Sequence, residues 1–166
     1  MLNPAPSAPL SGELLSCLTY ISPNEHEATE ITGVAIRKEN NEINMDDVKA
    51  ATDILRHKGV ENVIITLGSS GAVIADKNGI TYSPCVDIVE VKDPTAAGDS
   101  FVGAFTTGVC VGLTHRQALD FANYTATLTV SRMGAQPSLP VLYEVIELME
   151  QDQFSDLDFS KLEILK

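Results

Sequence analysis

Apolar residues recur along this chain at two periods, and the alternation predicts helices interleaved with strands. Residues 24–32 read as a helix that Asn24 can cap and that Gly33 stops just past its end. Residues 19–22 form a short strand candidate before it, joined through Pro23. A second helix starts at Asn44 and ends near Lys58, with Val48, Ala51, Ile54 and Leu55 on one apolar stripe. Then comes Asn62-Val63-Ile64-Ile65-Thr66-Leu67, a continuous β-branched run. Such a run suits a strand buried on both faces, as in a parallel sheet covered by helices.

The glycine-rich stretch Gly68-Ser69-Ser70-Gly71 ends that strand, and residues 72–76 and 80–84 flank Asn78-Gly79, a strong hairpin signal. Residues 86–89 are a further strand candidate. A loop over 90–95 leads into a helix over 96–111, and Thr114-His115-Arg116-Gln117 matches a capping box that opens another helix reaching about Ser131. After a loop over 133–139, Pro140 suits the first turn of a last helix reaching Glu150. From Glu144 to Lys166 there are seven acids and two bases, so residues 151–166 read as a loosely held, solvated acidic tail. The whole pattern indicates an α/β layered fold. Only 62–67 has the full apolar character of a central strand, where a doubly wound sheet has several, so the chain resembles part of a larger domain.

Length changes this picture little: 166 residues suit one domain, and 44% hydrophobic residues suffice for a core. Charge changes it more. A net charge of -12 argues against nucleic acid and anionic membranes as partners, since both select basic surface. No apolar run approaches the roughly 20 residues of a membrane span, and the first residues lack the basic and apolar regions of a signal peptide. Cys17, Cys85 and Cys110 are odd in number and widely spaced, which reads as reduced thiols in a cytoplasmic protein.

The segment with the most chemistry is Asp93-Pro94-Thr95-Ala96-Ala97-Gly98-Asp99-Ser100-Phe101. Small residues where a loop becomes a helix leave backbone N–H groups open, which makes an anion site. Asp99 beside such a site repels phosphate, but it has a purpose if it accepts a proton from a hydroxyl attacking a phosphoryl group. Equally, Asp99 can simply favour the helix N-terminal dipole. Gly103 and Gly108 lie inside the helix, where each costs about 1 kcal/mol against Ala unless close packing or close ligand approach offsets it. Competing motifs fail: His26-Glu27 opens like HExxH, but Glu30 stands where the second histidine belongs, and there is no GxxxxGK[ST] loop and no GxSxG elbow.

Taken with Asn3-Pro4-Ala5-Pro6, Pro23-Asn24-Glu25-His26-Glu27, Thr66 to Gly71 and Gly134-Ala135-Gln136-Pro137-Ser138, this segment resembles the PfkB-type carbohydrate kinases, in their ribokinase branch. Five motifs in family order cover about residues 1–150. The resemblance implies a ribokinase-like, Rossmann-type layered α/β fold, present as its C-terminal half. It also implies ATP-dependent phosphorylation of a primary hydroxyl of a pentose such as D-ribose, with Mg²⁺ and K⁺ as cofactors.

By the same resemblance Asp99 is the catalytic base, and the amides of Ala96, Ala97 and Gly98 form the hole for transferring phosphate. Asn24 and Glu27 organise magnesium and phosphate, although Asn24 alone reads first as a helix cap. Thr66, Leu67, Gly68, Ser69, Ser70 and Gly71 form the nucleotide-contacting turn at the carboxyl end of a strand, in line with the rule for open α/β sheets, or else a plain tight turn. Asn123 approaches adenine. Asp93, Thr95, Thr129, Arg132, Gly134 and Ser138 form the potassium site, mostly through backbone carbonyls.

Two departures stand out. Pro94 replaces the usual Thr, which removes an N–H and holds Asp93 extended. In the family, the Asn-Pro-Ala-Pro segment lies near the middle of a chain about twice this length, and the half before it supplies the sugar site, further strands and a β lid. The resemblance therefore implies an exposed sheet edge, covered by a complementary N-terminal half or by self-association. It leaves a half-enzyme and a non-catalytic nucleotide-binding module both open.

Overall fold

The computed structural model describes residues 1–39, 42–154, 156, 157 and 159–165, and the chain falls into two units, Met1–Tyr82 and Ser83–Lys166. In the first unit, α1 (Gly12–Ser16) is followed by β1 (Tyr20–Ile21) and α2 (Glu25–Thr32). A two-strand ladder of β2 (Lys38–Glu39) and β3 (Glu42–Ile43) precedes α3 (Met45–His57). Then come β4 (Asn62–Thr66), a 3₁₀ turn at Gly68–Ser70, β5 (Ala72–Asp76) and β6 (Gly79–Ser83), whose last residue opens the second unit.

The caps fall where the side-chain chemistry puts them. Asn24 and Glu27 form a reciprocal box at the start of α2, Gly33 ends that helix at φ +77°, and Asn44 accepts from the first-turn amides of α3. Both helices pack on β4. Val48, Ala51 and Leu55 of α3 meet Val63, Ile65 and Leu67 in one core, all fully buried. Ile54 is only partly buried, and Thr52 takes its share of the stripe, its hydroxyl satisfied by the Lys49 carbonyl at 2.9 Å.

The sheet runs β1-β4-β5-β6. β1 pairs parallel with β4, Tyr20 opposite Asn62, while β4 pairs antiparallel with β5, Ile64 opposite Ile74. The run 62–67 was expected in a parallel sheet and residues 72–84 in a hairpin, and the sheet is mixed, with β4 parallel to β1 and antiparallel to β5. Residues 67–71 are too few for the crossover that parallel neighbours need. β5 is buried along its whole length, so it is a second central strand. Its two alanines hid that in the sequence.

The second unit is helical: α4 (Ala97–Cys110), α5 (His115–Val130) and α6 (Leu142–Gln151), with 3₁₀ turns at Gln136–Ser138 and Phe159–Leu165. Phe101, Phe105, Leu119, Phe121 and Met149 fill its core. A Cβ on Gly108 would stand 3.1 Å from Leu113 Cδ1 and 3.3 Å from Ala118 Cβ, so this glycine lets α4 lie close on α5. The capping box at Thr114 and Gln117 opens α5 as expected.

Three local expectations change. Residues 86–89 form no strand, because a pleated pattern needs a ladder partner. Here the Val86 carbonyl accepts from the Thr127 hydroxyl at 3.0 Å, and Ile88 stays 46% exposed. Pro140 lies just before α6, whose cap is Val141. The segment after Gln151 is docked rather than loosely held, with Leu157 and Leu162 buried. Ser155, Asp158 and Lys166 of that expected tail lie outside the described residues. Among the described residues, no helix is long and apolar enough to cross a membrane.

Candidate active site

In the first unit, the end of β4 and the start of α2 meet. Asn24 makes an isolated parallel bridge with Thr66, and the Thr66 amide donates to the Pro23 carbonyl at 3.1 Å. This places the Asn24–Glu27 box beside the turn that follows β4. In the box, Glu27 donates its amide to Asn24 Oδ1 at 2.9 Å and returns Oε2 to the Asn24 amide at 2.8 Å. Its other oxygen, Oε1, takes no part in the box.

The turn itself depends on its glycines. Gly68 and Gly71 both take positive φ, and the Leu67 amide donates to the Gly71 carbonyl at 2.8 Å to close the loop. Leu67 is a core residue, whereas Gly68 and Ser69 are exposed, and Tyr82 braces the turn through the Ser70 carbonyl at 2.6 Å. The turn thus presents backbone and small side chains outward on a rigid base.

In the second unit, the chain enters α4 through Ala96, held in the left-handed region at φ +63°. That conformation costs a non-glycine residue roughly 1–2 kcal/mol, and strain of this kind concentrates at functional turns. The Ala97 amide donates to the Pro94 carbonyl at 3.2 Å, and the Ala96 carbonyl accepts from Ser100 at 2.9 Å. Among the described residues no backbone carbonyl accepts from the amides of Gly98 or Asp99. Two open donors therefore sit in the first turn of α4, beside the exposed Asp99 side chain. Asp99 also lines a groove of about 400 Å³, walled largely by apolar side chains of all three helices, with Gly103 and Thr107 on the same face of α4.

Asp93, Thr95 and Gly134 are brought together. Asp93 accepts from the Thr95 amide at 2.9 Å and the Gly134 amide at 2.8 Å. Hydrogen bonds from Thr95, its side chain foremost, and from Gly134 hold the Asp93 carboxyl below the usual carboxylate range. The amides of Lys92 and Asp93 both reach the Val130 carbonyl. Nearby, the Thr129 carbonyl accepts from the Arg132 amide at 3.2 Å, and the buried Ser138 hydroxyl donates to the Ala135 carbonyl at 2.6 Å. Arg132 pairs with Glu144 through its two terminal nitrogens, Nη1 and Nη2, which raises the guanidinium pKa and lowers that of the carboxyl. Of the six expected cation ligands, Asp93, Thr95 and Gly134 are thus joined directly, while Thr129 in the last turn of α5, Arg132 and Ser138 make other bonds.

Asn123 is buried, and its Nδ2 reaches the Ser83 carbonyl at 3.3 Å, Ser83 Oγ at 2.7 Å and the Pro84 carbonyl at 3.0 Å. The Asn123 amide nitrogen is thus engaged in holding residues 83–84.

The first 142 residues match the model of the "pfkB family carbohydrate kinase". The chain belongs to the pfkB family of carbohydrate kinases. The ribokinase of Haemophilus influenzae is 40% identical over 152 residues, which is 90% of this chain and 47% of that protein. The Thermotoga maritima ribokinase structure superposes with a TM-score of 0.76 at 33% identity, over 89% of this chain and 48% of that one. The Arabidopsis thaliana ribokinase, solved with ribose and ATP, gives 0.79 at 30% identity over 86% and 44%. The chain has the ribokinase-like α/β fold and spans about half the length of the curated relatives it matches.

Against that family background, one buried polar network escaped the sequence reading. Asp120 accepts from Ser83 Oγ at 2.6 Å and from Arg116 Nε at 2.8 Å. The i,i+4 spacing of Arg116 and Asp120 was its visible signal. The groove face formed by Asp99, Gly103 and Thr107 was legible in the same way, as a repeat of four along one helix.

Proposed function

We propose that this chain is the nucleotide-binding and catalytic-base half, over residues 1–150, of a ribokinase-type sugar kinase, followed by an acidic segment over 151–166. The observation that carries the reading is the α4 entry, where a strained Ala96 precedes two unengaged amides and the exposed carboxylate of Asp99. Of the amides of Ala96, Ala97 and Gly98 expected to form the phosphate hole, that of Ala97 is engaged by the Pro94 carbonyl. In this reading the amides of Gly98 and Asp99 therefore stabilise negative charge on the transferring γ-phosphoryl group of ATP. Asp99 takes the proton from the primary hydroxyl of a pentose, D-ribose by family likeness, as that oxygen attacks phosphorus. Residues 66–71 present main chain to the nucleotide. Asn123 acts on it indirectly, through residues 83–84.

Oxygen donors fit both expected cations. Glu27 Oε1, oriented by the Asn24 box, would serve Mg²⁺, and Asp93 with the carbonyls at Thr95, Thr129, Arg132, Gly134 and Ser138 would serve K⁺. Bound there, these ions would supply charge neutralisation at the phosphates. Three exposed free cysteines suit a reducing cytoplasm.

The chain covers 47% of the Haemophilus influenzae ribokinase, and residues 1–166 taken by themselves also fit a second reading, a non-catalytic nucleotide-binding module. Calorimetric titration of the chain with Mg-ATP tests what both readings share. We expect weak but measurable binding. No heat and no thermal shift at millimolar nucleotide would overturn it.

A further inference from the structure

The family match ends at residue 142, yet the residues beyond it are anchored to the second unit at several points. Leu157 and Leu162 are buried, and the Tyr124 hydroxyl donates to Asp152. Gln117 Nε2 reaches the Asp156 carbonyl at 2.7 Å and Lys161 Nζ the Gly112 carbonyl at 2.9 Å. These anchors carry the 3₁₀ turn Phe159–Leu165 to the groove at Asp99, and Leu165 is one of its wall residues, with Phe121, Leu142 and Val145. Beside it, Ile164 is 82% exposed. An apolar groove thus stands next to two apolar side chains on a segment already tied down at its base.

We propose that the turn Phe159–Leu165 forms a strap whose tip, Ile164–Leu165, closes into the groove beside Asp99. Closure takes both side chains and the groove lining out of water, which is the driving force. Leu157 and Leu162 hold the base whether the tip is in or out, so only the tip has to move. The strap and any acceptor reaching Asp99 through this groove then compete for one space. That consequence rests on the kinase reading of Asp99, but the docking itself does not.

The test uses the full chain and the neutral apolar dye N-phenyl-1-naphthylamine. Ile164→Ser with Leu165→Ser frees the tip and spares both anchors, so dye fluorescence should rise severalfold over the unsubstituted chain. Adding Gly103→Leu should cancel the rise, because a side chain at Gly103 meets open space and grows into the groove. Equal dye uptake in both chains, or a rise that survives Gly103→Leu, overturns the proposal. On the unsubstituted chain, methyl NOEs from Ile164 to Leu142 or Val145 should be present, and their absence overturns it as well. Neither readout needs nucleotide or sugar, so a failed strap leaves the kinase reading intact, and the reverse holds.

Discussion

Asp99 sits in the first turn of α4, where a carboxylate gains typically 0.3–1 kcal/mol from the helix dipole. Asn keeps the size of Asp99 and the helix start but cannot take a proton. For whatever assembly proves active, Asp99→Asn should lower turnover about 10²–10⁴-fold while Mg-ATP affinity holds or rises. Near-normal turnover would reduce Asp99 to a helix-start residue. The two α4 glycines separate in the same physical way. A methyl on Gly103 meets nothing within 4 Å, whereas one on Gly108 meets Leu113 and Ala118 at 3.1 and 3.3 Å. Gly103→Ala should therefore stabilise by roughly 0.5–1 kcal/mol. Gly108→Ala gains the same propensity but overpacks, so urea unfolding should rank it below Gly103→Ala by about 1 kcal/mol or more. Sequence alone gave both glycines one puzzle. Packing gives them two answers.

At the scale of elements, legibility followed whether the deciding partner was local. Asn24 with Glu27, and Thr114 with Gln117, settle helix starts within four residues, and both were readable. Residues 86–89 looked like a strand because alternation is local, while the ladder partner a strand needs is not. Residues 151–166 looked solvated because charge outweighs two well-spaced leucines in any composition count. The tie between Arg37, the residue before β2, and Asp47 of α3 is another device that spans elements. Arg37 donates through Nε and Nη2 to Asp47 at 2.8 Å each, and its amide adds a third bond at 3.0 Å. The Arg37 side-chain bonds, then its amide, lower the Asp47 carboxyl from 3.8 to about 2. A carboxyl depressed in the fold adds stability above its unfolded value and loses it as pH falls through the folded one. Acidification from about pH 4 to about pH 2 should thus cost the parent chain stability that Asp47→Asn does not lose. Carbon-detected NMR titration should place the Asp47 midpoint about 2, and a midpoint near 4 would show that the pair does not persist in solution.

At the scale of the molecule, the candidate residues divide between the two units: Asn24, Glu27 and 66–71 in the first, Asp93 to Asp99 and the end of α5 in the second. In the function proposed above, every one of them is assigned to nucleotide, phosphate, cation or proton transfer. None offers the convergent polar groups that would fix a sugar, and the family relatives are about twice as long. Phosphoryl transfer gains most of its rate from positioning both substrates and excluding water. A site that orients only the donor lacks the larger share of that gain, since effective molarities for well-held pairs reach about 10⁵–10⁸ M. The 166-residue chain alone should therefore show negligible ribose phosphorylation in a coupled assay, even where calorimetry finds Mg-ATP bound. Adding, in trans, a purified N-terminal half from a full-length ribokinase relative should restore measurable turnover that depends on Asp99. Robust turnover by the chain alone would mean that it holds the sugar with its own residues. Complementation that restores nothing, with nucleotide still bound, would favour the non-catalytic module.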